Sequence, residues 1–410
     1  MSVVRIDDPG IHGEGHWTGL LRPGDLVVAA QGVGEPSALL ECLLSTSPAE
    51  VELFVGLSHS EVLTKPSQLP IVSFGGFGPL SGAVHRGNVE VIPAHFDDLP
   101  RVLPQRGQDI VVLIQVTPAD ASGSHGLGMA VDHTFDLLNR ARVVIAEVND
   151  QVPVTSAPRV PASTFDAVVH TSRPLPVVDT PEINNVHRQV AAHVADLIPD
   201  GATVQLGIGA MASAVGVALR EHRGLAVRST LAGDWLLDLA SAGCLRPGPD
   251  AVVISEAAGS PALYDYVSAS DVQICPVNTV SGPAARGEVD HFVAINSALQ
   301  VDLSGQVNAE EIATGYIGGI GGQAEYLRAA QRSTGGRSMI ALPATAGRFS
   351  RIVTRLDTAT VTTPRSGVDF IVTEYGVADL RGRSLRERAE ALIAIAAPHH
   401  RDALQKGQAQ

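Results

Sequence analysis

The sequence has few cysteines, no excess of basic residues and no long apolar run, and each absence excludes a class of protein. Its 410 residues include three cysteines, Cys42, Cys244 and Cys275, without the CxxC spacing of a redox pair or the density of a disulfide-rich secreted domain. The net charge of −14 argues against nonspecific binding of nucleic acid, which needs a basic surface. No stretch reaches the roughly 18 to 20 apolar residues of a membrane helix. We therefore expect a soluble, cytoplasmic protein that binds neither nucleic acid nor membrane.

Several common catalytic signatures are also missing. The sequence has no HExxH or GxSxG motif, which excludes a zincin or an α/β-hydrolase elbow. The adjacent His399 and His400 have no acidic or cysteine partner at ligand spacing. We therefore expect no metal site.

Apolar runs rich in Val and Ile alternate with helical patterns along the chain. Such runs are typical of strands buried on both faces, and their alternation with helices predicts an α/β fold with largely parallel sheets. The eight runs are residues 25–30, 51–57, 109–116, 142–148, 202–208, 251–257, 338–344 and 369–375. Helices are predicted at 183–197 and at 384–396, the second with Ser384 as N-cap and Leu385 on its apolar stripe.

A weak internal repeat indicates two related domains. The segment GDLVVAAQGVGEPSALLECL from Gly24 is similar to GATVQLGIGAMASAVGVAL from Gly201, and each predicts a strand, a Gly-x-Gly turn and a helix. Proline-rich segments lie between the two repeats. We place the domains at 1–182 and 183–410, with the glycine loops in the second.

Two glycine-rich loops could stabilise negative charge. Gly207-Ile208-Gly209 lies between a predicted strand and a helix, where backbone N–H groups can face a developing oxyanion. The second loop, YIGGIGGQAEY, spans residues 316–326. Taken singly, each loop is weak evidence, because a Gly-x-Gly after a strand is more often a tight turn or close helix packing than a functional site.

Longer segments resemble the acetyl-CoA hydrolase/transferase family over nearly the whole chain. The similarity is carried by GDLVVAAQGVGEPSALLE, IQVTPADASGSHGLGMAVD, VIAEVNDQVPVT, IPDGATVQLGIGA, AINSALQVDLSGQVNAE, IGGIGGQAEYLRAA, SRIV and VDFIVTEYGVADLRGRSLRERAEALIAIAAPHHRDAL.

The resemblance implies a fold, substrates and a reaction. The expected fold is α/β, with two tandem CoA-transferase-type (NagB/RpiA-like) domains whose sheets are largely parallel and whose active site lies between them. The substrates are an acyl-CoA, which brings coenzyme A to the site, and a small acceptor; a homo-oligomer is expected. In such enzymes a glutamate attacks the thioester, and the acyl-glutamyl anhydride then becomes a glutamyl-CoA thioester.

The family's glutamate has no counterpart in this chain. The matching run, LAVRSTLAGDW, places Thr230 at that position and keeps Asp234 downstream. A threonine hydroxyl is a far weaker nucleophile than a carboxylate unless a base activates it. Transfer through an anhydride is therefore not expected. Asp234 is either a base for direct attack or the cap of the following helix, and Glu256 is either a replacement nucleophile or a hydrogen-bonded structural carboxylate.

The resemblance also assigns the groups around the reacting thioester. Backbone N–H groups at Ile208, Gly209 and the second loop would stabilise the oxyanion. Coenzyme A contacts are expected from Gly207, Gly319, Gly321, Gly322, Gln323 and Arg328, although Arg328 could instead pair with Glu325.

Three functions are consistent with these observations. The first is acyl or CoA transfer, or thioester hydrolysis, without the glutamyl anhydride. The second is carboxylate CoA-transfer through another acid such as Glu256, and the third is a noncatalytic CoA-ligand binder or inactive partner subunit. The segment 281–298 departs from the family's usual Asn-Asp-Pro opening, which indicates a reshaped substrate pocket.

Overall fold

The chain folds into two compact units. The computed structural model describes residues 4–6, 17–59, 61–64, 68–285, 287–357 and 359–408. One unit contains Met1–Val178, Ile254–Asn278 and Tyr316–Gly321, and the other contains Asp179–Val253, Thr279–Gly315 and Gly322–Gln410. The division differs from the single boundary predicted after residue 182, because two later segments, one of them carrying part of the second glycine loop, belong to the first unit.

The first unit is built on a parallel sheet of eight strands. The strands are β1 Val4–Ile6, β2 Leu26–Ala29, β3 Glu52–Phe54, β4 Ile71–Ser73, β5 Val89–Val91, β6 Ile110–Val116, β8 Val143–Asn149 and β10 Ala167–Thr171, and a separate antiparallel pair is formed by β7 Ser124–Gly126 and β9 Arg159–Pro161. The strands of the sheet lie in the order β1-β10-β8-β6-β2-β3-β4-β5. The α-helices of its N-terminal segment are α1 Ser37–Thr46, α2 Leu80–His85, α3 Leu99–Val102 and α4 His133–Leu137, and α8 Pro261–Ala269 also belongs to this unit.

A buried acid in this sheet completes the start of α1. The N-cap residue of α1 is Pro36, which provides no side-chain cap. Instead, Glu147 on β8 accepts the N–H groups of Ala38 and Leu39 at 2.9 and 3.4 Å, and also the hydroxyl of Thr171 at 3.0 Å. The carboxylate thus satisfies two of the amides that a helix N-terminus leaves unpaired.

The second unit contains a mostly parallel arrangement of the strands β11 Thr203–Leu206, β12 Ala226–Ala232, β15 Phe292–Asn296, β20 Arg337–Ala341, β24 Phe370–Thr373 and β25 Gly376–Asp379. They lie in the order β12-β11-β15-β20-β24-β25, and only β25 is antiparallel to its neighbour. Shorter strands are β16 Gln300–Asp302, β17 Val307–Asn308, β18 Glu311–Ile312, β19 Gly315–Tyr316, β21 Thr345–Ala346, β22 Phe349–Ser350 and β23 Ile352–Val353. The remaining strands, β13 Val252–Ala257 and β14 Gln273–Ile274, lie wholly or mostly in the first unit.

The helices from residue 185 onward are α5 Asn185–Ala195, α6 Ala210–Ala218, α7 Trp235–Ser241, α8 Pro261–Ala269, α9 Val277–Ala285, α10 Gln323–Arg332, α11 Leu385–Ala394 and α12 Pro398–Gln408. Both predicted helices form: α5 begins with a capping box of Asn184 and His187, and α11 with one of Ser384 and Glu387. Leu385 is 58% exposed, so its predicted place on the buried stripe is wrong. In the described part of the chain no helix has the length and apolar character needed to cross a bilayer.

The segment 226–239 folds into β12 and α7. Asp234 occupies the N-cap position of α7, but its own backbone is helical and its side chain makes no cap hydrogen bond. The predicted capping role of this carboxylate is therefore wrong. The turn between β12 and α7 is stabilised instead by Trp235, whose indole N–H donates to Gly207 O at 2.9 Å.

Candidate active site

The carboxyl ends of the parallel strands in the second unit lie along one edge of the sheet. Because β11, β12, β15, β20 and β24 all run in the same direction, the loops that follow them share this edge. Ligands of open α/β sheets bind at such an edge. This edge is therefore the candidate ligand site of the second unit.

The register of the sheet predicts that Thr230 and Asn296 lie on either side of Gly207 at this edge. The pairs Val204–Val227 and Leu206–Ile295 set the register, and continuing it brings Gly207 beside both Thr230 on β12 and Asn296 on β15. All three residues are partly exposed. Since neighbouring strands are about 4.8 Å apart, the Cα atoms of Thr230 and Asn296 are roughly 10 Å apart across a residue without a side chain.

The space over the glycine turn is open. A Cβ atom placed on Gly207 or Gly209 would meet nothing within 4 Å. Gly209 has φ 101°, a conformation that favours glycine, and α6 begins at the next residue. The first-turn N–H groups of α6 therefore adjoin this space with the positive end of the helix dipole. Thr230, Gly207, Ile208 and Gly209 thus lie in one stretch of this edge, and Asp234 follows two residues beyond the end of β12.

Ser229 fixes the backbone beneath this space. Its buried hydroxyl lies 2.6 Å from Leu206 O and 2.9 Å from Leu231 O. The hydroxyl thus ties β12 to the end of β11 and keeps the register at the point where Thr230 follows. Ser229 is structural here, and Thr230 is the hydroxyl at the open edge.

Sequence reasoning missed an amide pair at the same site. Asn296 Nδ2 donates to Oε1 of the buried Gln205 at 2.9 Å. Both residues lie in segments that resemble the family. The signal in the sequence was Gln205, a polar amide within an apolar run, two residues before Gly207. A strand buried on both faces is not expected to carry a polar side chain at such a position.

Two charged groups lie further along this edge. Glu374 follows β24 and accepts the N–H of Ala344 at 2.8 Å, while Arg351 donates to Ala298 O at 3.0 Å. Burial lowers the pKa of the Arg351 guanidinium, and the charge of Glu374 opposes that shift. An arginine remains charged under these conditions.

Glu256 lies in the first unit, in a closed environment. Its side chain is 4% exposed, and Oε1 accepts the N–H of Val33 at 3.0 Å. A Cβ atom on Gly32 would lie 1.9 Å from Oε1. Burial, with the nearby charge of Asp132, raises the pKa of the Glu256 carboxyl to about 8, although the Val33 hydrogen bond opposes the shift. At neutral pH this group is a protonated acid.

The second glycine loop is divided between the units. In the first unit Gly319 forms a bridge with Gly75 and Gly321 one with His95. Gly319 is tightly packed, since a Cβ atom there would lie 2.3 Å from the ring of Phe77, whereas one on Gly321 would meet nothing within 4 Å. Because Gly207 belongs to the other unit, convergence of the two loops on one oxygen stays a prediction.

The other residues predicted to contact coenzyme A lie at the start of α10 in the second unit. Gly322 is the N-cap residue, and the buried Gln323 donates from Nε2 to Thr363 Oγ1 at 3.1 Å. Arg328 is exposed and donates to Gln331 Oε1 at 3.4 Å. Of these side chains, only the guanidinium of Arg328 extends into solvent.

No metal centre is found among the described residues. No group of three or more His, Cys, Asp or Glu side chains in those ranges is arranged to hold an ion. The His399 and His400 rings have centroids 4.2 Å apart and are tilted against each other.

The two largely parallel sheets, with a strand–glycine turn–helix opening in each unit, define a two-domain α/β protein with a fold of the CoA-transferase type. The N-terminal domain of the acetyl-CoA hydrolase/transferase family matches residues 16–185, and the C-terminal domain of that family matches residues 259–408. The chain belongs to the acetyl-CoA hydrolase/transferase family, whose members are enzymes.

Individual relatives agree with this assignment. The chain is 37% identical to 4-hydroxybutyrate coenzyme A transferase of Clostridium kluyveri over 395 residues, which covers 92% of each chain. The crystal structure of 4-hydroxybutyrate CoA-transferase from Porphyromonas gingivalis matches with a TM-score of 0.76 and 32% identity, covering 94% of this chain and 93% of that one. RipA from Yersinia pestis matches with a TM-score of 0.85 and 28% identity, covering 95% and 94%.

Proposed function

We propose that the chain cleaves acyl-CoA thioesters by direct attack of water or a small acceptor on the acyl carbon, without an acyl-enzyme anhydride. The observation that carries this proposal is the position of Thr230 beside Gly207 at an open sheet edge. The family resemblance assigns this position to the nucleophilic glutamate. Thr230 cannot form the anhydride, and its shorter side chain leaves room over Gly207 for the attacking group.

The chemistry of the step needs few protein groups. The nucleophile adds to the thioester carbon, the carbonyl oxygen becomes an oxyanion, and the C–S bond then breaks as the carbonyl reforms. The N–H groups at Gly209 and the first turn of α6 stabilise the oxyanion. The proton lost by the nucleophile goes to the leaving CoA thiolate, and Thr230 Oγ1 orients the nucleophile by a hydrogen bond.

The substrates follow from the relatives. The relative of Clostridium kluyveri is named for 4-hydroxybutyrate, which supports a small acyl group here. Coenzyme A enters as part of this substrate, with Gly207, Gly319, Gly321, Gly322, Gln323 and Arg328 as the proposed contacts. Cys42, Cys244 and Cys275 are free thiols, which supports a reducing, cytoplasmic location. A homo-oligomer is proposed from the family alone, and light scattering tests it.

Carboxylate CoA-transfer through Glu256 is the alternative that the geometry favours less. A nucleophilic carboxylate must be ionised and accessible, whereas Glu256 is buried and holds its proton at neutral pH. If Glu256→Gln, which keeps the shape but cannot form an anhydride, abolished turnover in a folded protein, this alternative would replace our proposal.

The experiment that tests the proposal combines thiol release with intact-protein mass spectrometry. Native protein, Thr230→Glu and the size-matched Thr230→Gln are incubated with short acyl-CoA esters, with and without carboxylate, amine and alcohol acceptors. We expect the native protein to release CoA without any covalent adduct, and Thr230→Glu to acquire a glutamyl-CoA adduct that Thr230→Gln lacks.

Other outcomes identify the remaining functions. A CoA adduct on native protein would mean that another acid is the nucleophile. Thioester binding without CoA release by the native protein, together with turnover by Thr230→Glu, would identify a noncatalytic binder or partner subunit.

A further inference from the structure

The Asn296 side chain is held in one orientation at the sheet edge. Its Nδ2 atom donates to Gln205 Oε1 at 2.9 Å, and Gln205 is 4% exposed, so this acceptor is fixed within the sheet. The two N–H bonds of a carboxamide diverge by about 120° because the group is planar. When one N–H is directed to Gln205, the other is directed away from it.

Register places that second N–H near the open space. Gly207 directly follows β11 and lies two residues after Gln205, so the register places both on one face of the sheet, and Asn296 at the end of β15 adjoins Gly207. Thr230 lies on the opposite side of Gly207 on β12. A carbonyl group seated over Gly207 therefore has the Thr230 hydroxyl on one side and the Asn296 carboxamide on the other.

We propose that Asn296 donates its second Nδ2 hydrogen to the carbonyl oxygen of the bound thioester, and that Gln205 is the positioning residue that fixes this donor. The inference rests on the function proposed above. It assigns a catalytic side chain to the site in addition to the backbone donors of α6. A fixed side-chain N–H needs no reorganisation when charge develops on the oxygen, and one such donor typically contributes about 10²- to 10³-fold to kcat.

If Gln205 is a positioning residue, substitutions at Gln205 and Asn296 should have non-additive effects on kcat. A residue that acts only through Asn296 should lose its effect when Asn296 is absent. Gln205→Leu is therefore expected to lower kcat in the native background and to have little further effect in Asn296→Ala. A purely structural role for Gln205 would give additive losses.

The test uses a probe that does not require turnover. S-acetonyl-CoA, labelled with ¹³C at its carbonyl, places a methylene between sulfur and carbonyl and cannot be cleaved as a thioester. Isotope-edited infrared spectroscopy reports the carbonyl stretch of the bound probe, which a hydrogen bond lowers. We expect a higher frequency in Asn296→Ala than in native protein. Ser297→Ala, which removes the adjacent hydroxyl that donates to Ala341 O, is the control and should leave the frequency unchanged.

Kinetics supply the second readout. With an acyl-CoA that turns over, Asn296→Ala should lower kcat by about 10²-fold while KM changes by a few fold at most. An equal carbonyl frequency in native protein and Asn296→Ala would overturn the inference, whatever the rates. A frequency difference in a native protein that releases no CoA would contradict the proposed function but support the carbonyl contact. Failure of native protein to bind the probe would overturn both.

Discussion

The Glu256 carboxyl group occupies the space that a side chain at residue 32 would fill. Gly32 has φ 62°, and an added Cβ atom would lie 1.9 Å from Glu256 Oε1 and 2.6 Å from Oε2. The next residue, Val33, donates its N–H to the same carboxyl. A glycine turn after β2 and an acid from β13 thus form one buried contact between residues far apart in the chain.

Gly32→Ala is expected to destabilise the protein severely. The new methyl group would displace the carboxyl, leave the Val33 N–H unpaired and add left-handed backbone strain, which together cost about 3 to 5 kcal/mol. Gly24→Ala is the matched control, because Gly24 has φ 88° but open space around it. It should cost only about 1 kcal/mol. Chemical denaturation measures both, and equal losses would contradict the steric argument.

The raised pKa of Glu256 gives the stability of the protein a pH dependence. Its pKa moves from an ordinary 4.5 to about 8 on folding. Between these values the folded state keeps the proton and the unfolded state releases it, so the stabilisation is complete below about pH 4 and is lost as pH rises through 8. Relative to Glu256→Gln, the free energy of unfolding of native protein should fall by up to roughly 1.4 kcal/mol per pH unit across this window.

Denaturation of both proteins at several values from pH 5 to pH 9 tests this. Because the Gln side chain does not titrate, subtraction of its curve removes contributions from other groups. Parallel curves would show that Glu256 does not change its protonation on folding.

Glu147 on β8 should stabilise the N-terminus of α1 through its hydrogen bonds to the helix amides. Glu147→Ala leaves the N–H groups of Ala38 and Leu39 without their buried acceptor and opens a cavity, which we expect to cost about 2 to 4 kcal/mol. Glu147→Gln keeps one acceptor oxygen and should cost about half as much. Hydrogen exchange at the amides of α1 measures the effect. Unchanged protection in Glu147→Ala would refute this capping role.

The strands of the core were predictable from the sequence, but the strand carrying Thr230 was not. All eight apolar runs form strands, including β6 and β8, which are buried along their whole length. By contrast, β12 contains Arg228, Ser229 and Thr230, and its outer half is partly exposed. A search for continuous apolar runs therefore does not detect a strand such as β12, whose polar side chains lie at a functional site.

The candidate site was predictable only in its local part. Gly207, Ile208 and Gly209 are contiguous, and the family resemblance placed Thr230 beside them. The surroundings of Glu256 were not predictable, because its contact with Val33 joins residues 223 positions apart. The partner of Asn296 likewise lies on another strand, so only the sheet register identifies the pair.

Gly207 allows a decisive test of where the thioester binds. Because a Cβ atom there would meet no protein atom within 4 Å and its φ is not positive, Gly207→Ala and Gly207→Val should leave the free energy of unfolding within about 1 kcal/mol of native. The added groups would nevertheless fill the space between Thr230 and Asn296. We expect acyl-CoA affinity to fall about 10-fold in Gly207→Ala, a loss of about 1.4 kcal/mol, and further in Gly207→Val.

Gly216→Ala on α6 is the contrasting variant, which should lower stability without filling the space over Gly207. A Cβ atom at Gly216 would lie 2.5 Å from Trp235 Cβ, so this change should disturb the packing of α6 against α7 and lower stability. Calorimetric titration with acyl-CoA, after denaturation has established folding, separates the two effects. Normal affinity in a folded Gly207→Val protein would place the thioester elsewhere, because no acyl group could share that space with a valine side chain.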